Sequence, residues 1–164
     1  MARAKKKQQH KNAVHLIVAS VRRAMPFYVD KLGFKMTECF PDVDKPVWCN
    51  LVLGGQAVML GELPSLQEAR QFGMAPDAIE LLKQDARAIA RGGLGTGVAY
   101  YVRVPDVDAF ARRLKRKRIK PLTQPKTQFY GIRDCQLADL DGYRLVFFSP
   151  ADTAAAQPPA PAVE

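Results

Sequence analysis

The stretch LADLDGYRLVFF at 137–148 sets Asp139 and Asp141 around a turn just ahead of an apolar run. Two carboxylates so spaced can bind a divalent cation, form an acid–base pair, or accept backbone N–H groups in a hairpin. The hairpin reading is preferred: Gly142 supplies a backbone conformation other residues resist, and an Asp side chain bonds the main chain two residues on. His15 is the one side chain in the strand-like body with a near-neutral pKa, so it suits acid–base work best. Without an identified partner it reads more simply as a hydrogen-bonded structural residue. No Gly-rich phosphate loop, GxSxG elbow or Cys/His nucleophile pair is present. Cys39, Cys49 and Cys135 form no CxxC pair and lie in apolar runs, as expected of reduced, unreactive packing residues.

The elements that must carry such residues belong to an ordinary globular chain. It has 164 residues, 48% of them apolar and 25% charged, a length for one domain or two small halves around a shared core. No apolar run approaches the roughly 18 residues that would span a bilayer, so no membrane partner is expected. The basic start MARAKKKQQHKN lacks the apolar segment of a secretory signal, and a cytoplasmic protein is expected. Net charge is +9; with five amino-terminal bases and two acids from 151 onward set aside, the body keeps about +6. Most of that excess is RRLKRKRIK at 112–120, seven bases without an acid. On the outer side of an amphipathic helix such a run is usually a solvated face, and no helix-turn-helix, finger or stacking platform accompanies it. A nucleic-acid partner is therefore not expected.

The sequence repeats itself once. AVHLIVAS (13–20) reads as a strand, Ser20 as the cap of a helix over VRRAMPFYVDKL distorted by Pro26, and Gly33 as its left-handed end. FKMTECF, VWCNLVL and QAVMLGE follow as strands, the last two joined across Gly54 and Gly55. The second copy opens with strand VAYYVRV (98–104); Asp106 caps a helix carrying Val107, Phe110, Ala111 and Leu114, and IKPLT, GIRDCQLA and YRLVFFS supply three more strands. The expected organisation is a disordered basic tail (1–12), a βαβββ module (13–62), a helical linker or lid (63–96), a second βαβββ module (97–150) and a disordered Ala/Pro-rich tail (151–164). A single βαβββ unit leaves one sheet face uncovered, so two copies should enclose a shared cavity. The fold class is α+β, a curved mixed sheet built from two modules.

Three phrases, FYVDKLGF (27–34), VRVPDVDAFARRL (102–114) and YGIRDCQLADLDGYRLVFF (130–148), resemble the vicinal oxygen chelate superfamily. It includes glyoxalase I, extradiol dioxygenases, fosfomycin-modifying enzymes, methylmalonyl-CoA epimerase and bleomycin resistance proteins. The resemblance covers roughly 13–149. Its metal enzymes place one ligand on each of four strands, and the matching positions here are Ala13, Met59, Ala99 and Val146. None supplies the nitrogen or carboxylate oxygen that a divalent cation needs, so no metal or other cofactor is expected. A slip of two residues would substitute His15 for Ala13, with Glu62 the only other nearby donor.

Strand alternation then assigns the cavity side. It offers His15 and Ile17 from the first strand, Trp48 and Asn50 from the third, and Met59 from the fourth. The second half offers Tyr101, Arg103, Asp134, Gln136, Arg144 and Phe148, with Tyr130 and Arg133 as rim residues. Aromatic walls with few polar groups are the composition of a small-molecule pocket. The plainer alternative is a filled cavity with an internal Arg103–Asp134 ion pair. The reading is a metal-independent protein similar in kind to bleomycin resistance proteins, binding a small organic molecule as a homodimer, with no catalytic residue assigned. Its positive body suits a neutral or anionic aromatic ligand held by stacking and Arg103. A metal-dependent lyase, isomerase or dioxygenase of the same fold is the alternative, and a binder of nucleic acid or an acidic partner through RRLKRKRIK is a third.

Overall fold

The computed structural model describes residues 13–128 and 130–151; the two expected disordered tails fall outside them, except for Ala151. Strand β1 (Ala13–Ile17) leads into helix α1 (Val21–Pro26), which continues as a π-helical stretch over Phe27–Leu32. Strands β2 (Lys35–Phe40), β3 (Trp48–Leu53) and β4 (Gln56–Gly61) complete the first module. Helices α2 (Leu66–Gln71) and α3 (Pro76–Gly92) connect it to β5 (Ala99–Arg103), helix α4 (Val107–Arg116), β6 (Lys126–Thr127), β7 (Ile132–Ala138) and β8 (Arg144–Pro150). Each module is a four-stranded mixed sheet, ordered β1-β4-β3-β2 and β5-β8-β7-β6, with the first strand parallel to the last.

Alternation along the strands buries one face of each sheet against its helix. Leu16, Leu51, Val58 and Leu60 pack under α1 with Tyr28 and Leu32; Val102, Cys135, Leu137, Leu145 and Phe147 pack under α4. Phe110 stacks on Phe147 at 4.1 Å between ring centroids. A Phe110→Ala change would cost about 3–5 kcal/mol by the usual scale for buried aromatics.

Several local expectations give way to longer-range partners. Ser20 occupies the cap position but its side chain makes no capping bond. Glu62 Oε1 instead accepts from Val21 N–H at 2.8 Å, a carboxylate at a helix start where the dipole favours it. Pro26 removes a donor without ending the helix; the ladder widens to π geometry, and Tyr28 C=O accepts from both Gly33 and Phe34 N–H. IKPLT forms no ladder, since Pro121 removes a donor, and only Leu122 and Thr123 N–H reach Gln136 C=O; the edge strand is the two-residue β6 further on. The linker is helical, with Ser65 and Glu68 forming a reciprocal capping box on α2. In α3, Leu82 is buried and Ile79 and Ile89 are half-buried, but Ala86 is exposed, so the stripe covers less than its periodicity predicts. Cys39 stands directly opposite Cys49 across β2 and β3, whereas the sequence alone suggests three isolated thiols. Burial raises the Cys49 and Cys135 thiols to about 11, which keeps both protonated at neutral pH.

The modules meet at the turn within LADLDGYRLVFF. Asp139 Oδ1 accepts from Asp141 N–H at 2.9 Å and Tyr143 N–H at 2.8 Å, closing the β7–β8 connection, while its Oδ2 accepts from the Tyr28 hydroxyl at 2.7 Å. Asp141 accepts from Arg23 at 3.0 Å, and the Tyr143 hydroxyl donates to Ile17 C=O at 2.8 Å. The expected role of this pair in a hairpin therefore extends to docking one module on the other. Urea unfolding should show Tyr28→Phe destabilised by about 1.5–3 kcal/mol, the usual range for a buried bond to a charged acceptor. Asp139→Ala, which strands two buried donors, should lose about 3 kcal/mol or more. Equal, sub-kilocalorie losses in both would contradict the assigned network.

Candidate functional site

The faces opposite the helices are where strand pairing gathers side chains with chemistry. On the first sheet one row runs His15, Met59, Asn50, Glu38 and the next Ile17, Gly61, Trp48, Phe40. On the second sheet one row runs Tyr101, Val146, Gln136 and the next Arg103, Phe148, Asp134, Lys126. The strand residues assigned to the cavity by alternation thus lie on the sheet faces opposite the helices. Arg144 opens β8 on the same face as Val146 and Phe148, beside Gly95, Gly97 and Val98 in a cleft of about 270 Å³.

Pairing sets Met59 beside His15 and Val146 beside Tyr101, with Ala13 opposite Ala57 and Ala99 opposite Arg144. Neither the expected set of Ala13, Met59, Ala99 and Val146 nor the set with His15 and Tyr101 in place of the two alanines supplies the donors that a divalent cation needs. Glu62, the remaining nearby donor, is engaged at the start of α1. Among the described residues no three His, Cys, Asp or Glu side chains gather into such a site.

Aromatic surface dominates the second sheet. Tyr101 packs edge-on to Phe148 with centroids 6.1 Å apart, and Tyr101 and Tyr130 are 43% and 52% exposed. Tyr130 has its hydroxyl against Tyr101 and near Asp134; partial desolvation first, then those neighbours, raise its pKa above the ordinary phenol value. Asp134 is buried at 1% exposure, with Oδ1 accepting from Gln128 at 2.9 Å and Oδ2 without a hydrogen-bond partner among the described residues. The alternative Arg103–Asp134 ion pair is not formed: Phe148 stands between them in the register, and Arg103 is exposed. Arg133 is no rim residue either. It lies on the helix side of β7, and its guanidinium grips both oxygens of Asp108 on α4 at 2.7 and 2.9 Å.

Sequence reasoning passed over Gln56 and Gly61, whose signals are visible only with strand pairing. The Gln56 amide donates to Tyr101 C=O at 3.0 Å and accepts from Arg103 N–H at 2.6 Å, so one side chain joins the first sheet to the edge of β5. Gly54 at the adjoining turn has φ +60°, and a Cβ there would fall 2.6 Å from Arg103 C=O, so glycine permits the close approach. A Cβ on Gly61 would meet His15 Nε2 at 2.3 Å, so the imidazole lies across the glycine backbone. His15 keeps an exposed flank, but this cover lowers its pKa below the usual 6.5 and leaves it neutral at pH 7. Because the folded protein binds this proton less readily than the unfolded chain, stability should fall as pH drops through and below 6.5. Gly61→Ala should push the flexible ring into solvent and move the His15 titration back toward 6.5 with little loss of stability. An NMR pH titration checks this; an unmoved His15 pKa would rule out the stacked geometry.

The fold and its neighbours agree. A search of curated proteins finds no match, but 146 chains among solved structures resemble this one. TnmS3, an antibiotic binding protein from Streptomyces sp. CB03234, is 20% identical, covers 90% of this chain and 100% of its own, and superposes with a TM-score of 0.59. TioX from Micromonospora sp. ML1 is 20% identical over 87% of this chain and 100% of its own, with a TM-score of 0.62. A glyoxalase/bleomycin resistance protein from Streptomyces sp. CB03234 is 21% identical over 85% and 100%, with a TM-score of 0.57. At these identities the likeness establishes the fold. The family model that matches residues 10–147 goes further: this chain belongs to the Glyoxalase/Bleomycin resistance protein/Dioxygenase superfamily.

Proposed function

We propose that the protein binds a small organic molecule on its concave faces without a metal ion. The observation that carries this is the exposed aromatic surface of Tyr101 and Tyr130, with Phe148 and Trp48 half-buried on the same faces, where metal enzymes of the superfamily need ligating side chains. Exposed aromatic area of this kind gains from a ring stacked on it. Arg103 is exposed on the same face, and no described carboxylate pairs with it. The ligand is therefore assigned as a neutral or anionic aromatic compound, with His15, Asn50, Met59, Asp134, Gln136 and Arg144 as its further neighbours. One structural neighbour is described as an antibiotic binding protein, which is in keeping with sequestration.

The proposal includes a cytoplasmic homodimer in which a second copy covers the open faces, with residues 63–96 as a connecting segment between modules 13–62 and 97–150. No described helix is long and apolar enough to cross a membrane.

A thermal-shift screen of aromatic acids, neutral aromatics and antibiotics tests the reading. A ligand at a hundred times its Kd should stabilise the fold by about 2.7 kcal/mol. Tyr101→Ala should weaken any such ligand, and Arg103→Ala should weaken an anionic one about tenfold, or about 1.4 kcal/mol. Binding unchanged in Arg103→Ala would remove the anionic part of the assignment. Elemental analysis of protein purified without chelator should find no stoichiometric metal; a full equivalent of Ni, Zn, Fe or Mn would instead favour a lyase, isomerase or dioxygenase.

A further inference from the structure

The run RRLKRKRIK divides its bases between two tasks. Arg113 donates to Leu32 C=O at 2.8 Å and lies over the Phe110 ring, and Lys117 donates to Asp30 C=O, so both fasten α4 to the first module. Arg112, Lys115, Arg118 and Lys120 are exposed instead around a single groove of about 670 Å³ beyond the end of α4. Its walls include Ile119, Pro121 and Pro125, giving an apolar floor beneath the cations. The one carboxylate lining it, Asp108, is already held by Arg133 at 2.7 Å, and the nearest other contact is a loose Arg112–Asp106 pair at 3.9 Å.

Arg118 makes the groove more than a solvated face. It has φ +57°, the only positive φ at a non-glycine among the described residues. Its N–H bonds Lys115 C=O and Ile119 N–H bonds Leu114 C=O, both at 3.0 Å, which places it at the helix-ending position where glycine is ordinarily found. An arginine there bears backbone strain and joins three other exposed cations around the groove. Backbone strain of this kind concentrates at ligand sites, and an anion would accept charge-assisted hydrogen bonds from such a group.

We propose that this groove is a second ligand site, separate from the concave faces, which takes a small organic anion bearing phosphate groups. Its volume lies within the roughly 300–1,000 Å³ of small-ligand pockets. Four cations suit the charge of linked phosphates, and the apolar floor suits the body that carries them.

Isothermal titration of the full chain with inorganic pyrophosphate, at low and at raised salt, tests the proposal. One equivalent should bind, more weakly as salt rises. Arg118→Gly should bind at least tenfold more weakly while unfolding at the same or a higher temperature, since glycine relieves the strained position. The double variant Lys115→Gln, Lys120→Gln should show a similar loss. Pyrophosphate has no ring to stack on Tyr101, which keeps this test apart from the aromatic site. No binding at low salt, or equal affinity in Arg118→Gly, would overturn the assignment. So would a short DNA duplex that binds more tightly than pyrophosphate through the same residues, by making the groove part of a nucleic-acid surface.

Discussion

Two segments 111 residues apart in the chain meet at the carboxylate of Asp139, where the Tyr28 hydroxyl is bound at 2.7 Å. One oxygen of that group closes the turn between β7 and β8 and so fixes which residues of the two strands face each other. The other oxygen holds the helix that covers the first sheet. Tyr28 is fully buried, and burial together with the neighbouring Asp139 drives its pKa far above the ordinary phenol value, so its proton stays in place as the donor. Register in one module and helix placement in the other thus share one hydrogen-bonded centre.

Much of the fold was legible because its signals are local. Strand alternation separated Leu16 and Val18 from His15 and Ile17, helical spacing marked Val107, Phe110 and Leu114, and paired glycines marked the β3–β4 turn. What was illegible depends on partners distant in sequence. Glu62 displaced Ser20 as the group that receives the first helix N–H, and Arg133, on the helix side of β7 by alternation, found its partner in Asp108, 25 residues away. The stagger of β1 on β4 and of β5 on β8, which sets Met59 beside His15 and Val146 beside Tyr101, also lay beyond reach, because counting from a helix cap cannot measure it. The gathering of Tyr101, Phe148 and Asp134 on one face could be inferred from alternation, whereas the orphaned oxygen of Asp134 could not.

Charge is partitioned between the two sides of the second module. The face opposite the helix carries Arg103 and Lys126 near a buried acid and aromatic rings, while the helix side carries a dense group of cations past α4. The sheet core of Val102, Leu137 and Phe147 separates them. Each side can therefore change its surface charge without rewriting the other.

The seam at Gln56 gives the architecture a further property. Its sheets remain two separate hydrogen-bonded ladders, and a side-chain amide takes the place that a neighbouring backbone would occupy along β5. A main-chain ladder allows only whole-residue slips, but a side-chain link permits small changes of tilt. The angle between the two sheets is thus adjustable by point substitution at one hairpin, with both ladders left intact.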